Sequence, residues 1–290
     1  MDTLLEPLGF AFFQKGLLVA ALSGALLGFI GVYIVLRGMS YIGHGLSHAI
    51  FGGYAAMQLF AVQFYVLGAG LWGIASAIAI TSVARRSRVG ADAAIGVVTT
   101  ASFALGVALF SKFGSSGPSF DNALFGSILG ISNTQILWLV VVMIGTGLFV
   151  LLRYRELLFT TFDPDVARAS GVNVARTEAL LMIALSLSIL VTLTVIGVTL
   201  VAAMLVIPAV IARMLTDSFG RMLALSTVVG LICGITGMYL SYYAGVPSGT
   251  MIVLVGAVVF VIVLAVTGAR GMHRMAGVND HAPPKMRMPA

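Results

Sequence analysis

The feature that most constrains this chain is a succession of apolar runs, each about as long as the hydrocarbon layer of a membrane is thick in helical residues. Windows at 16–36, 44–62, 64–84, 93–111, 134–152, 178–196, 198–213, 222–242 and 249–268 qualify. Backbone polar groups have no water to bond inside lipid, so such runs must be helices or closed barrels, and their length selects helices. The expected fold is therefore all-α: a polytopic transmembrane helical bundle of about nine spans, within a range of eight to ten. Only 9% of the 290 residues are charged, against roughly 25% in a soluble domain. That excludes a cytosolic enzyme and a disulfide-built secreted domain, and the lone Cys233 falls inside an apolar run as a packing residue.

The net charge of +6 would suggest nucleic acid in a soluble protein. Here the basic residues gather in connections: Arg85, Arg86 and Arg88; Arg153, Arg155, Arg168 and Arg176; Arg213 to Arg221; and Arg270, Arg274, Lys285 and Arg287. By the positive-inside bias these segments face the cytoplasm, and no nucleic-acid partner is expected. The connections 112–133 and 243–248 hold only Lys112 and Asp121, as translocated loops should. The orientation of the first span rests on Lys15 against Arg37: nine spans with a cytoplasmic C-terminus place the N-terminus outside, whereas an N-terminus inside requires one segment between 44 and 84 to be re-entrant or broken. Asp2 and Glu6 do not fit the basic start of a cleavable signal, so the first run counts as mature protein. Residues 1–268 then form the transmembrane domain, and 269–290, with His273, His281, Pro283 and Pro284, a disordered cytoplasmic tail. Gly24 and Gly28, and Gly230 and Gly234, are spaced for close helix approach.

No phosphate-cradling G-x-x-x-x-G-K-[ST] loop exists: Gln14, Ser111 and Pro284 precede the three lysines. The chain is not expected to be an enzyme, and any ATP that drives it must be hydrolysed by a partner subunit. The connection at 162–171 reads FDPDVARASG. Asp163 can cap a helix, Pro164 suits its first position, Asp165 favours its positive end, Ala167 lies within it, and Gly171 can end it in a left-handed conformation. Local chemistry alone favours an ordinary surface helix; the functional alternative is a coupling helix that docks on an ATPase.

The stretch 40–53 reads SYIGHGLSHAIFGG. On a helix His44 and His48 lie one turn apart on one face, where both rings can reach one ion. Gly43, Gly45, Ser47, Gly52 and Gly53 leave room for a cavity or for close helix packing. Polar groups at membrane depth point to function, and metal binding and hydrogen bonding to a neighbouring helix are equally compatible with the spacing. The metalloprotease pattern H-E-x-x-H fails, because Gly45 stands where the general base is needed. Ser47 and His48 point about 100° apart on a helix and are no catalytic pair. Pro208 and Pro247 fit ordinary membrane-helix architecture, and the 14 methionines are scattered packing residues.

Five stretches in order, VLRGMSYIGHGLSHAIFGG (35–53), LFGSILGIS (124–132), FDPDVARASGV (162–172), LVIPAVIARMLT (205–216) and LSYYAGVPSGTMIVL (240–254), resemble the permease subunit of bacterial zinc and manganese ABC importers. The resemblance implies a multi-pass protein of the bacterial plasma (inner) membrane. It also implies a second permease chain, as homodimer or heterodimer, two ABC-type ATPase subunits at the cytoplasmic face, and an extracytoplasmic metal-binding protein. It makes the 162–171 segment the coupling helix, with Asp163, Pro164, Asp165, Ala167 and Gly171 as its contact region. In that family an acidic residue usually stands at the position of His44 and pairs with the histidine matching His48. An imidazole in the acidic place suits borderline Zn²⁺ better than Mn²⁺, and two chains would offer four nitrogens. Zinc is therefore expected first and manganese or iron after it, as transported ions and not permanent cofactors. The rival, an ion-coupled secondary transporter or channel, would carry acidic groups within its spans; here Asp and Glu lie outside the runs or at their ends.

Overall fold

The computed structural model describes residues 6–57, 65–86, 91–113 and 131–279, all of them built from helices and their connections. Residues 58–62 of the expected second span, Arg88, most of the 124–132 stretch and the tail from residue 280 lie outside the described residues. After a 3₁₀ turn at Glu6–Gly9 come α1 (Ala11–Leu36), α2 (Ser40–Met57), α3 (Tyr65–Arg86) and α4 (Ala91–Phe113). Then follow α5 (Asn133–Leu152), α6 (Tyr154–Phe162), α7 (Pro164–Ala169) and α8 (Val174–Ile196). The chain closes with α9 (Val198–Leu215), α10 (Phe219–Ala244) and α11 (Ser248–Asn279). Among the described residues nine helices are long, at the nine expected places.

Six of them, α1, α4, α5, α8, α10 and α11, are long and apolar enough to cross a membrane, while α3 and α9 carry shorter apolar stretches at Gly68–Val83 and Leu200–Leu215. The second helix starts at Ser40 rather than at 44, so both histidines sit inside it. Its histidines, serines and glycines keep it out of those six. α9 runs unbroken through Pro208, a tolerance typical of membrane helices whose freed backbone groups find other partners. The last helix continues past 268 to Asn279.

α1 is the axis of the bundle: 78% of its span is buried, against 17% for the peripheral α5 and α11. Its main partner is α10, and the two backbones meet where the sequence removes side chains. A Cβ on Gly24 would overlap the carbonyl oxygen of Gly230, and one on Gly230 would overlap that of Gly24. One turn away in either direction, Gly28 faces the carbonyl of Ser226 and Gly234 that of Ala20. Ser226 Oγ donates to the carbonyl of Gly28 at 2.5 Å, a bond worth about 0.6 kcal/mol between membrane helices.

α2, α3 and α4 form a second packing group, and α9 touches both α1 and α2. α1 and α2 make little contact with each other although only three residues separate them. The reason is the turn: Gly38 takes φ +68. Its N–H donates to the carbonyl of Val35 at 3.1 Å and that of Met39 to Ile34 at 3.0 Å. This Schellman ending satisfies the last carbonyls of α1 and sends α2 off in a new direction.

Candidate functional site

The histidine strip is built by the packing of α2. Gly45 lies against Ile95 and Thr99, Gly52 against the Ser102 carbonyl, Gly53 against Trp72, and Gly43 against Leu205. A Cβ at any of these would collide, so the glycines serve close packing with α4, α3 and α9 and do not open a cavity. Trp72 Nε1 donates to Ser102 Oγ at 2.5 Å, and Ser102 Oγ donates to the Ala49 carbonyl at 3.4 Å, tying three helices together at mid-strip. With three sides covered, the fourth stays bare: Tyr41 is 72% exposed, His44 is exposed and His48 is half-buried.

The two imidazole centroids are 4.3 Å apart with their planes tilted by 49°. His48 Nδ1 is 2.8 Å from the backbone oxygen of its predecessor one turn earlier, His44. A carbonyl only accepts, so this contact assigns the proton to Nδ1 and leaves the Nε2 lone pair free. Fixing a ring by a hydrogen bond from its other nitrogen is the usual support for a metal-binding histidine. Ser47 Oγ donates to the same carbonyl at 2.9 Å, so the serine is an internal helix partner and not a nucleophile. The edge of Phe103, from α4, meets the His48 ring at 5.0 Å and 66° and limits its rotation. Among the described residues no third His, Cys, Asp or Glu joins the pair. One chain thus offers two nitrogens on an open face, half of a tetrahedral set.

The 162–171 segment folds as its residues dictate. Asp163 Oδ1 accepts from the N–H groups of Asp165 at 3.1 Å and Val166 at 2.9 Å, and Pro164 takes the first helical position of α7. Arg168 pairs with Asp165 at 2.6 Å across one turn. At the other end Gly171, with φ +83, donates to Arg168 and Val172 donates to Ala167, both at 3.0 Å. Ala167 is fully buried, while Val166 is 50% exposed and Asp165 and Arg168 are exposed too, so α7 is seated on one side and free on the other.

Helix α6, which the sequence reading did not anticipate, leads into α7 and is held from two sides. Arg153 donates through Nη1 to both carboxylate oxygens of Glu156, at 2.7 Å each. Arg37, at the end of α1, donates through Nη2 to Thr160 Oγ1 at 2.9 Å and through Nε to Thr161 Oγ1 at 3.2 Å. Burial pulls the Arg37 guanidinium below its ordinary pKa, opposed by the carboxylate of Glu178 and by Tyr33; it stays charged all the same.

Comparison with known proteins places the chain in a family. The model of the ABC 3 transport family matches residues 9–267. The chain is 39% identical to the manganese transport system membrane protein MntC of Halalkalibacterium halodurans, over 92% of this chain and 91% of that protein. It is 33% identical to a protein of Haemophilus influenzae described as a probable iron transport system membrane protein, over 93% and 98% of the two chains. Among solved structures, a chain of PsaBC from Streptococcus pneumoniae, in complex with Fab, superposes with a TM-score of 0.82 at 31% identity, covering 91% of this chain and 95% of that one. The chain therefore belongs to the ABC 3 transport family, the metal-ion ABC transporter permeases, and is a multi-pass protein of the bacterial inner membrane.

Proposed function

We propose that the chain is the membrane-spanning subunit of an importer that passes a divalent transition-metal ion across the membrane by alternating access, powered by ATP hydrolysis in a separate subunit. The observation that carries this reading is the His44–His48 pair, one turn apart on the bare face of α2, with the Nε2 of His48 unencumbered. A second permease chain presenting the same face would complete four nitrogens around the ion. Release requires a loose shell, so water is expected to share it. An extracytoplasmic metal-binding protein delivers the ion, and α7, from Asp163 to Gly171, docks on the ATPase with its exposed side.

The nitrogen donor set favours zinc. Manganese is the second reading, and a specific observation supports it: the relative at 39% identity is named as a manganese transport protein. Competition between zinc, manganese and iron for ATP-dependent uptake by the reconstituted complex tests both; zinc is expected to outcompete the others, and preferential manganese uptake selects the second reading. No ATP-dependent uptake of any of the three would overturn the function. For α7, Ala169→Pro removes a backbone donor from a six-residue helix. Hydrolysis without transport is the expected result, and intact coupling would remove the role.

A further inference from the structure

Arg37 is tied to both sides of the excursion that carries α7. Its side chain is only 7% exposed although it lies at a helix end. Its fork reaches Thr160 and Thr161 in the last turn of α6, just before the Asp163 cap, and Nη1 lies 3.9 Å from Glu178 Oε1 in α8, just after α7. The threonine hydroxyls donate to the Leu157 carbonyl at 3.1 and 2.6 Å. Their lone pairs are thereby left to accept from the guanidinium. A second tie, donated by Thr177 Oγ1 to Glu156 Oε2 at 3.5 Å, joins α8 to α6 alongside it.

On its other side Arg37 is the C-cap of α1, and the hydrogen-bonded Gly38 turn leads into α2 at Ser40. No slack separates the guanidinium from the histidine helix: Met39 accepts from Ile42 at 2.9 Å, and His44 follows within the next turn. A planar fork with five donors can serve three separated acceptors at once, which a lysine ammonium cannot reproduce.

We propose that Arg37 is a positioning residue, a latch that transmits displacement of α7 to the α1–α2 turn and so to the histidine strip. This rests on the proposed function, because it presupposes an ATPase that moves α7. The test uses the full transporter with its ATPase, reconstituted in vesicles, and reads metal ions moved per ATP hydrolysed for wild type, Arg37→Ala, Arg37→Lys and the double variant Thr160→Val with Thr161→Val. The latch predicts that the ratio falls by about fivefold or more in Arg37→Ala, with basal hydrolysis and complex assembly retained. It predicts a fall of the same sign in the threonine double variant and partial recovery in Arg37→Lys. A merely structural role would lower thermal stability and yield but leave the ratio unchanged. Should Arg37→Ala fail to assemble, the threonine variant decides, since it removes the hydroxyl acceptors and keeps the guanidinium; a wild-type ratio there overturns the latch. Absence of ATP-driven metal uptake in wild type would instead remove the proposed function, and the latch with it.

Discussion

α1 and α2 are consecutive, glycine-rich and separated by a single tight turn, yet they do opposite jobs. In α1 the glycines meet the backbones of α10 and α9, most of the span is buried, and its buried face carries no Asp, Glu, Lys, Arg or His. In α2 the glycines let α3, α4 and α9 close in from three sides, and what remains is a bare strip carrying two imidazoles. The same residue type thus builds a scaffold in one helix and isolates a polar face in the next. The difference is decided by which partners surround the helix and whether one side is left uncovered.

The two helices should differ most in how they tolerate bulk. Gly24→Leu drives a side chain into the Gly230 carbonyl, and with no flexible neighbour to yield, the cost is about 3 kcal/mol or more. Thermal melting of the purified protein should show a large loss of stability, and a wild-type melt would refute the close approach. His48→Ala should separate the helices' roles in the opposite sense. Stability should stay within about 0.5 kcal/mol, as for surface changes, while metal affinity drops by about 10- to 100-fold or more, read by equilibrium binding of the metal alone. Equal loss of stability in both variants would erase the distinction.

Acidification sharpens it further. Metal binds neutral imidazole and competes with protons, so affinity is full above the histidine pKa and falls below it. Binding should therefore weaken progressively as the pH falls and protons displace the metal from the rings. The melting transition should not follow the same curve, because α1 carries no group that titrates there. A binding curve flat between pH 7.5 and 5.5 would show that imidazole nitrogen is not the donor.

Much of this architecture was legible in the residues. Long apolar runs admit one secondary structure in lipid, and local caps fix ends: Asp163, Pro164 and Gly171 specified α7 without tertiary help. Gly24 and Gly230 announced a close approach, although not that each would be the other's partner. α6 escaped because YRELLFTTF is short, half polar and without a cap signal. The role of the glycines in α2 could not be read either, since a missing side chain serves a cavity and a tight contact equally well. The Arg37 cluster was out of reach for a different reason: its acceptor Thr160 lies 123 residues away in the chain.

Imidazole coordination of the transported ion is read most directly by X-ray absorption at the metal edge of the loaded, purified transporter. Ring scattering from histidine nitrogens, diminished in His44→Ala and lost in the double variant His44→Ala with His48→Ala, is the predicted result. A shell of oxygen donors alone, unchanged by either substitution, would contradict it.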